Sequence, residues 1–339
     1  MRQIKLTPQI AVAVPVRNEV ARLPGLLLAL AQQRGAPAFT LCLFLDECDD
    51  GSAEVIQGME SQLPFAVVTR SCNQGRSANA GAARRRAMEL ALDVAPGGLL
   101  MTTDADSQPS RNWLAANLAA LRQADVVAGK IVRSASREPD RLDRLCAYYD
   151  RLHETRRLID AVPWESFPSH HWTSAASLAL RARHYVELGG FEERPAGEDA
   201  ALADAAARAG LRLRRDGEVL VATSSRRKGR APGGFATTLA ALDTCAEEPQ
   251  VAHPEDEVWR FRLQAKARRV HRSQNMTELA AEVGLSMGEV MQVARVSRNG
   301  EAFASRVVCA PPHGMRMVSL SHAEALLMAL QTDMLKGVA

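Results

Sequence analysis

Two hydrophobic textures divide this chain. Up to about residue 245, short apolar runs recur, each followed by a stretch with helical spacing. Ile10–Val14 is an apolar run closed by Pro15 and predicts a buried strand. A Leu-rich helix is expected over Leu23–Gln33 and a second strand over Thr40–Leu45, with Gly51 and Ser52 marking a turn and helix cap. Phe65–Thr69, Leu99–Thr103 and the start at Asp125–Ala128 read as further strands, separated by helices over Ser77–Asp93 and Asn112–Gln123. Asp140–Ile159 is charged and helical, Ser177–Leu180 reads as a strand, and Gly197–Ala209 is an Ala-rich helix with Gly210 placed to cap it. Glu218–Thr223 is the last expected strand. Strand and helix in alternation predict an α/β fold with a mostly parallel sheet between helices. Beyond about residue 250 the pattern is helical without that rhythm, so the chain divides into an α/β domain over 1–247 and a helical appendage over 248–339.

Composition narrows the picture. In 339 residues, a 47% hydrophobic share supports a sizeable core, while 4% aromatic content with abundant Ala and Leu favours helices. A net charge of +3 is nearly balanced and selects no polyanionic partner. No apolar run reaches the roughly 18 residues of a membrane span. The N-terminal Arg2 and Lys5 precede no apolar block with a cleavage site, so a cytoplasmic protein is expected. The six cysteines are irregularly spaced without a Cys-x-x-Cys pair and read as reduced thiols.

In an open α/β sheet, ligands bind outside the carboxyl ends of the strands. Four acidic or polar segments stand at such places. After the first strand comes Pro15-Val16-Arg17-Asn18-Glu19, where a dinucleotide-binding protein would carry a Gly-rich turn. The second strand runs into Asp46-Glu47-Cys48-Asp49-Asp50; Asp46 is suited to accept a hydrogen bond from a nucleobase, and Asp49 and Asp50 read as turn or cap residues. The fourth strand runs into Asp104-Ala105-Asp106, whose spacing on a strand would put both carboxylates on one side, a donor set suited to Mg²⁺ or Mn²⁺. Glu198 and Asp199 open a helix, where the helix dipole alone favours acidic residues and would also keep a general base ionised. Two basic segments complete the set: Asn73-Gln74-Gly75-Arg76-Ser77 and Ser225-Arg226-Arg227-Lys228-Gly229-Arg230. The second is a solvated loop or a phosphate clamp.

These segments, in this order from about Ile10 to Phe235, resemble the family 2 glycosyltransferases of GT-A fold. Asn79, Gly81 and Gly189-Gly190-Phe191 belong to the same series. The resemblance implies an inverting transfer of a sugar from a nucleoside diphosphate sugar to an acceptor hydroxyl, with a divalent metal as cofactor. It assigns Pro15, Val16, Arg17, Glu19, Asp46 and Arg76 to the donor nucleotide, Asp104 to ribose or metal, and Asp106 to the metal. Asp199 would be the catalytic base with Glu198 beside it, and Arg226 and Arg230 would contact the diphosphate. The Q-x-x-R-W helix of many members is missing, which disfavours processive polymer synthesis. A nucleotidyltransferase shares the α/β architecture but needs a basic Gly-rich loop after the first strand; a non-catalytic nucleotide-sugar-binding protein is the third reading.

Thr277–Ser286 resembles the first half of a helix-turn-helix, and a second helix is expected from Met287 to Arg295. That second helix offers little to read bases, so nucleic acid is disfavoured, and a helical hairpin packed on the catalytic domain or across a homodimer is expected. His170-His171 before Trp172 reads as a surface or core pair rather than a metal site.

Overall fold

A computed structural model describes residues 9–75, 78–133, 140–224, 226, 235–245, 247–271, 273 and 275–336. Its core is an eight-stranded sheet. In chain order the strands are β1 (Ile10–Val16), β2 (Thr40–Asp46), β3 (Ala66–Cys72), β4 (Leu99–Thr102), β5 (Gln108–Pro109), β6 (Val126–Arg133), β7 (Leu178–Arg181) and β8 (Leu213–Thr223). Their order across the sheet is β3-β2-β1-β4-β7-β6-β8-β5. The β3-β2-β1-β4 half is parallel; β7 runs antiparallel to both β4 and β6, and β5 antiparallel to β8. The α/β expectation therefore holds, with an antiparallel strand in the middle of the sheet.

The apolar runs explain the layering. β1 lies between β2 and β4 and is buried almost throughout, as a parallel strand with both faces covered must be. Pro15 falls beyond the last partner of β1 on β4, which is Thr102 opposite Ala13, so it leaves that ladder intact. Leu23, Leu26, Leu27 and Leu30 of α1 (Leu23–Ala31) and Trp113 and Leu114 of α4 (Trp113–Ala120) join the strand residues in one core. The remaining helices of this half are α2 (Ser52–Glu60) and α3 (Ala80–Val94).

The described residues form two compact units. One lies within Met1–Ala135, Trp172–Asp204 and Leu213–Ala240 and contains the large sheet. The other lies within Ser136–His171, Ala205–Arg212 and Ala241–Ala339. Two helices, α5 (Arg141–Ile159) and α9 (Pro254–Val270), contribute to its apolar clusters, with α6 (Ala182–Glu187), α7 (Glu198–Arg208) and α8 (Phe235–Thr244) between them in sequence. Asp140 caps α5 through the backbone amide of Asp143, and Asp143 returns the bond to the amide of Asp140. Gly210 takes φ +73°, the left-handed cap expected after α7. The helix-turn-helix expectation matches α10 (Thr277–Val283) and α11 (Met287–Val296), which pack with α12 (Gly300–Val307). A short ribbon stands beside the helices of the C-terminal region, which the sequence predicts to be largely helical. β9 (Gln250–Ala252) and β10 (Met317–Ser319), the latter leading into α13 (Leu320–Lys336), form an antiparallel ribbon. Among the described residues no helix is long and apolar enough to cross a membrane, and all six cysteines are free.

Beside that ribbon, Asp256 is buried and bonded to Arg316. The guanidinium approaches Oδ1 at 2.6 Å and the Arg316 amide donates to Oδ2 at 2.8 Å. These bonds hold the Asp256 carboxyl down to about 2. A depressed carboxyl stabilises the fold above its unfolded value of about 3.9, and that stability is lost as pH falls through the folded value. Asp256→Asn should cost on the order of 1 kcal/mol at pH 7, the figure reduced because Arg316 is half exposed. Urea melts at a series of pH values should show the difference shrinking below pH ~4 and gone only below pH ~2; a pH-independent difference contradicts the assignment.

Candidate active site

The polar residues flagged at the strand ends gather at the carboxyl end of the parallel half of the sheet, within the first compact unit. β1 ends at Val16, whose side chain is in the core, and the chain turns through Asn18, a non-glycine residue at φ +53°. β2 ends at Asp46, followed by Glu47 at φ +52°. Left-handed backbone at non-glycine residues is uncommon and concentrates at functional sites. Both are held by side-chain bonds: Asn18 Oδ1 accepts from the Asp49 amide at 2.9 Å, and the Glu47 carboxylate accepts from the Gln74 and Gly75 amides at 2.7 and 3.0 Å.

Between these turns Arg17 Nη1 meets Asp46 Oδ2 at 2.7 Å. The Arg17–Asp46 pair presents donors beside an acceptor, the pattern a nucleobase edge requires. Asp50 fills the expected turn role. Its Oδ1 accepts from the Ser52 amide and hydroxyl, and its Oδ2 from the Val20 amide at 2.9 Å. Ser52 Oγ accepts from the Glu19 amide at 3.0 Å and so ties the two strand ends together.

The Asp104-Ala105-Asp106 segment departs from its expected geometry. β4 stops at Thr102, and the segment turns, closed by the Ser107 amide donating to Asp104 O at 3.1 Å. Strand alternation therefore does not align the two carboxylates; different partners hold them. Asp104 Oδ1 takes Arg84 Nη2 at 2.6 Å. Asp106 Oδ2 accepts from Ser224 Oγ at 2.8 Å and faces Arg226 Nη2 at 3.3 Å. Arg226 also pairs with buried Glu19, bridging the end of β1 to Asp106. Burial and the Asp104 charge both push the Asp106 carboxyl up, against Arg226 and Ser224. Arg230 and Arg76 lie outside the described residues.

Glu198 and Asp199 open α7 as expected. Glu198 is buried and meets Arg84 Nε at 3.2 Å. Asp199 accepts from its neighbour Ala200 at 2.7 Å and from the Ala175 amide at 3.2 Å. Residue Ala175 opens a single 3-10 turn before β7, and its carbonyl accepts from Arg84 Nη1 at 3.4 Å.

Arg84, on α3, is the functional residue that sequence reasoning missed. Its guanidinium also donates to Thr102 Oγ1 at 3.1 Å and lies 5.9 Å from the Phe191 ring centroid. A signal existed: Arg84 sits three residues before Ala87 and seven before Ala91, in phase with the buried face of α3. The Arg84-Arg85-Arg86 run disguises it as surface charge. Arg85 donates to the carbonyls of Gly189 and Phe191 at 3.0 and 2.9 Å. His170 is buried and His171 Nδ1 meets Asp150 Oδ1 at 2.7 Å, so that pair belongs to the packing of the second unit.

Among the described residues no three His, Cys, Asp or Glu side chains converge to hold a metal. The chain offers Asp104 and Asp106, two hard carboxylates, and would leave remaining positions to phosphate oxygens and water, as Mg²⁺ and Mn²⁺ sites do. A partly exposed Asp106 whose ionisation is opposed by desolvation and by the Asp104 charge fits a cation partner.

A curled, mostly parallel sheet with acidic strand ends defines a GT-A-type α/β protein. Residues 11–172 match the model described as Glycosyl transferase family 2. No curated protein sequence matches it. The fold is similar to that of S. aureus TarS 1–349 in complex with UDP-GlcNAc, at TM-score 0.50 and 15% identity over 88% of this chain and 90% of that one. It is also similar to the mannosyltransferase PcManGT from Pyrobaculum calidifontis in complex with GDP-Man and Mn²⁺, at TM-score 0.49 and 19% identity over 89% and 87% of the two chains.

Gly81 sets the placement of α3. A Cβ there would lie 2.2 Å from Glu192 O and 2.7 Å from Arg194 O. Both are backbone atoms, so Gly81→Ala should force α3 away from the segment that carries Phe191. A loss of about 1–3 kcal/mol is expected, read as a lower midpoint in urea unfolding; an unchanged midpoint rules out the tight approach.

Proposed function

We propose that this protein is an inverting, metal-assisted glycosyltransferase that moves a sugar, of hexose type, from a nucleoside diphosphate sugar to an acceptor hydroxyl. One observation carries the reading: buried Arg84 bonds both Asp104 and Glu198, which brings together the acidic segments after β4 and at the start of α7 and supports a shared site. The family match and the UDP-GlcNAc bound by the structurally similar TarS support it.

Residues Pro15–Glu19 and Asp46 frame the nucleoside, with Arg17 and Asp46 facing the base and Arg76 near the nucleotide. A Mg²⁺ or Mn²⁺ ion held by Asp106, with Asp104 on ribose or metal, would supply charge neutralisation to the departing diphosphate. Arg226 turns from Asp106 to a phosphate oxygen, and Arg230 adds a second fork. Asp199 takes the proton of the acceptor hydroxyl as that oxygen attacks the anomeric carbon from the face opposite the diphosphate; one displacement inverts the centre. Glu198 holds the helix start in place through Arg84. The machinery falls within residues 1–247, and the helical region 248–339 is assigned to packing or to a homodimer contact. Six free thiols support a cytoplasmic setting.

The two carboxylates separate in experiment. Asp199→Asn should abolish sugar transfer, a loss of at least about 100-fold, with donor affinity measured by calorimetry near wild type. Asp106→Ala should remove the Mn²⁺-dependent part of donor binding. Transfer that survives Asp199→Asn means the base lies elsewhere.

A further inference from the structure

Arg84 serves two carboxylates with one charge. Its Nη2 is 2.6 Å from Asp104 Oδ1 and its Nε 3.2 Å from Glu198 Oε1, while Nη1 is taken by Thr102 Oγ1 and Ala175 O. The guanidinium and Glu198 are buried, their side chains 8% and 7% exposed, whereas the Asp104 side chain is 32% exposed and open to a ligand. In a buried setting, where charges interact strongly, two anions that share a cation compete for it. Neutralise one, and the cation closes on the other.

We propose that Arg84 is a positioning residue through which Glu198 tunes donor binding. By drawing on Arg84, Glu198 keeps Asp104 loosely enough held to engage the donor. This rests on the donor-side reading of Asp104 given above. The proposal has a directional consequence that a purely structural role for the triad lacks. Glu198→Gln removes a charge on the base side, touches no donor atom, keeps the side-chain shape, and yet weakens donor binding because Asp104 is then the one charged carboxylate bonded to Arg84. The effect must pass through the arginine, so it disappears when the arginine's charge is removed.

The test is calorimetry of UDP and of GDP, each with Mn²⁺, on the full chain. Glu198→Gln should weaken nucleotide binding by about fivefold or more, the size of a modest coupling between sites. In an Arg84→Met background the same change should alter binding by less than about twofold, as for independent sites. Thermal melts identify variants that fold. If Arg84→Met does not, Arg84→Lys serves instead: an ammonium lacks the planar fork, and the Glu198→Gln effect should fall by at least about half. Unchanged or tighter binding in Glu198→Gln alone overturns the proposal, as does an equal loss with and without Arg84. A wild-type protein that binds neither UDP nor GDP fails at the earlier step and overturns the donor reading together with this inference.

Discussion

A single buried guanidinium organises this site. Arg84 is held on the inner face of α3, where an unpaired charge would be strongly destabilising, and its environment compensates with two carboxylates, a hydroxyl, a carbonyl and an aromatic face. The partners come from four segments: Thr102 and Asp104 from β4 and its turn, Ala175 from the turn before β7, Phe191 from the chain beyond α6, and Glu198 from the start of α7. Satisfying one charge therefore fixes the relative placement of segments distant in sequence. The paired charges hold Arg84 firmly in its cationic form.

Arg226 performs a complementary task at the other carboxylate. It is less buried than Arg84, and its two anionic partners, Glu19 and Asp106, stand on the turns after β1 and β4. The Arg226 charge beside Asp106 opposes the burial and the Asp104 charge that push its carboxyl up. Of the two cations, Arg84 is thus the more deeply buried and Arg226 the more accessible.

Much of this was legible in the sequence because the relevant strands are long, apolar and buried on both faces. β1 and β2 announce themselves as uninterrupted apolar runs, and the residues that end them, Pro15–Glu19 and Asp46, are where an α/β sheet binds ligands. The strand-based argument for Asp104 and Asp106 reached the right place by the wrong geometry, since strand ends cannot be fixed to a residue from apolar pattern alone. β5, β9 and β10 were invisible because two or three residues carry no periodicity. Arg84 was hidden by its two arginine neighbours, and only tertiary packing decides which of the three turns inward. Asn18 and Glu47 take left-handed backbone for reasons that lie in their hydrogen bonds to distant amides, not in their own identity.

The central claim is that these acidic strand ends form a nucleotide-sugar donor site. It is tested most directly by incubating the purified protein with a panel of UDP- and GDP-sugars, with and without Mn²⁺, and measuring release of the nucleoside diphosphate. The account predicts slow, Mn²⁺-stimulated release from donors of one base class, with water as the acceptor. Release from none of them, together with no Mn²⁺-dependent binding of any, would contradict it.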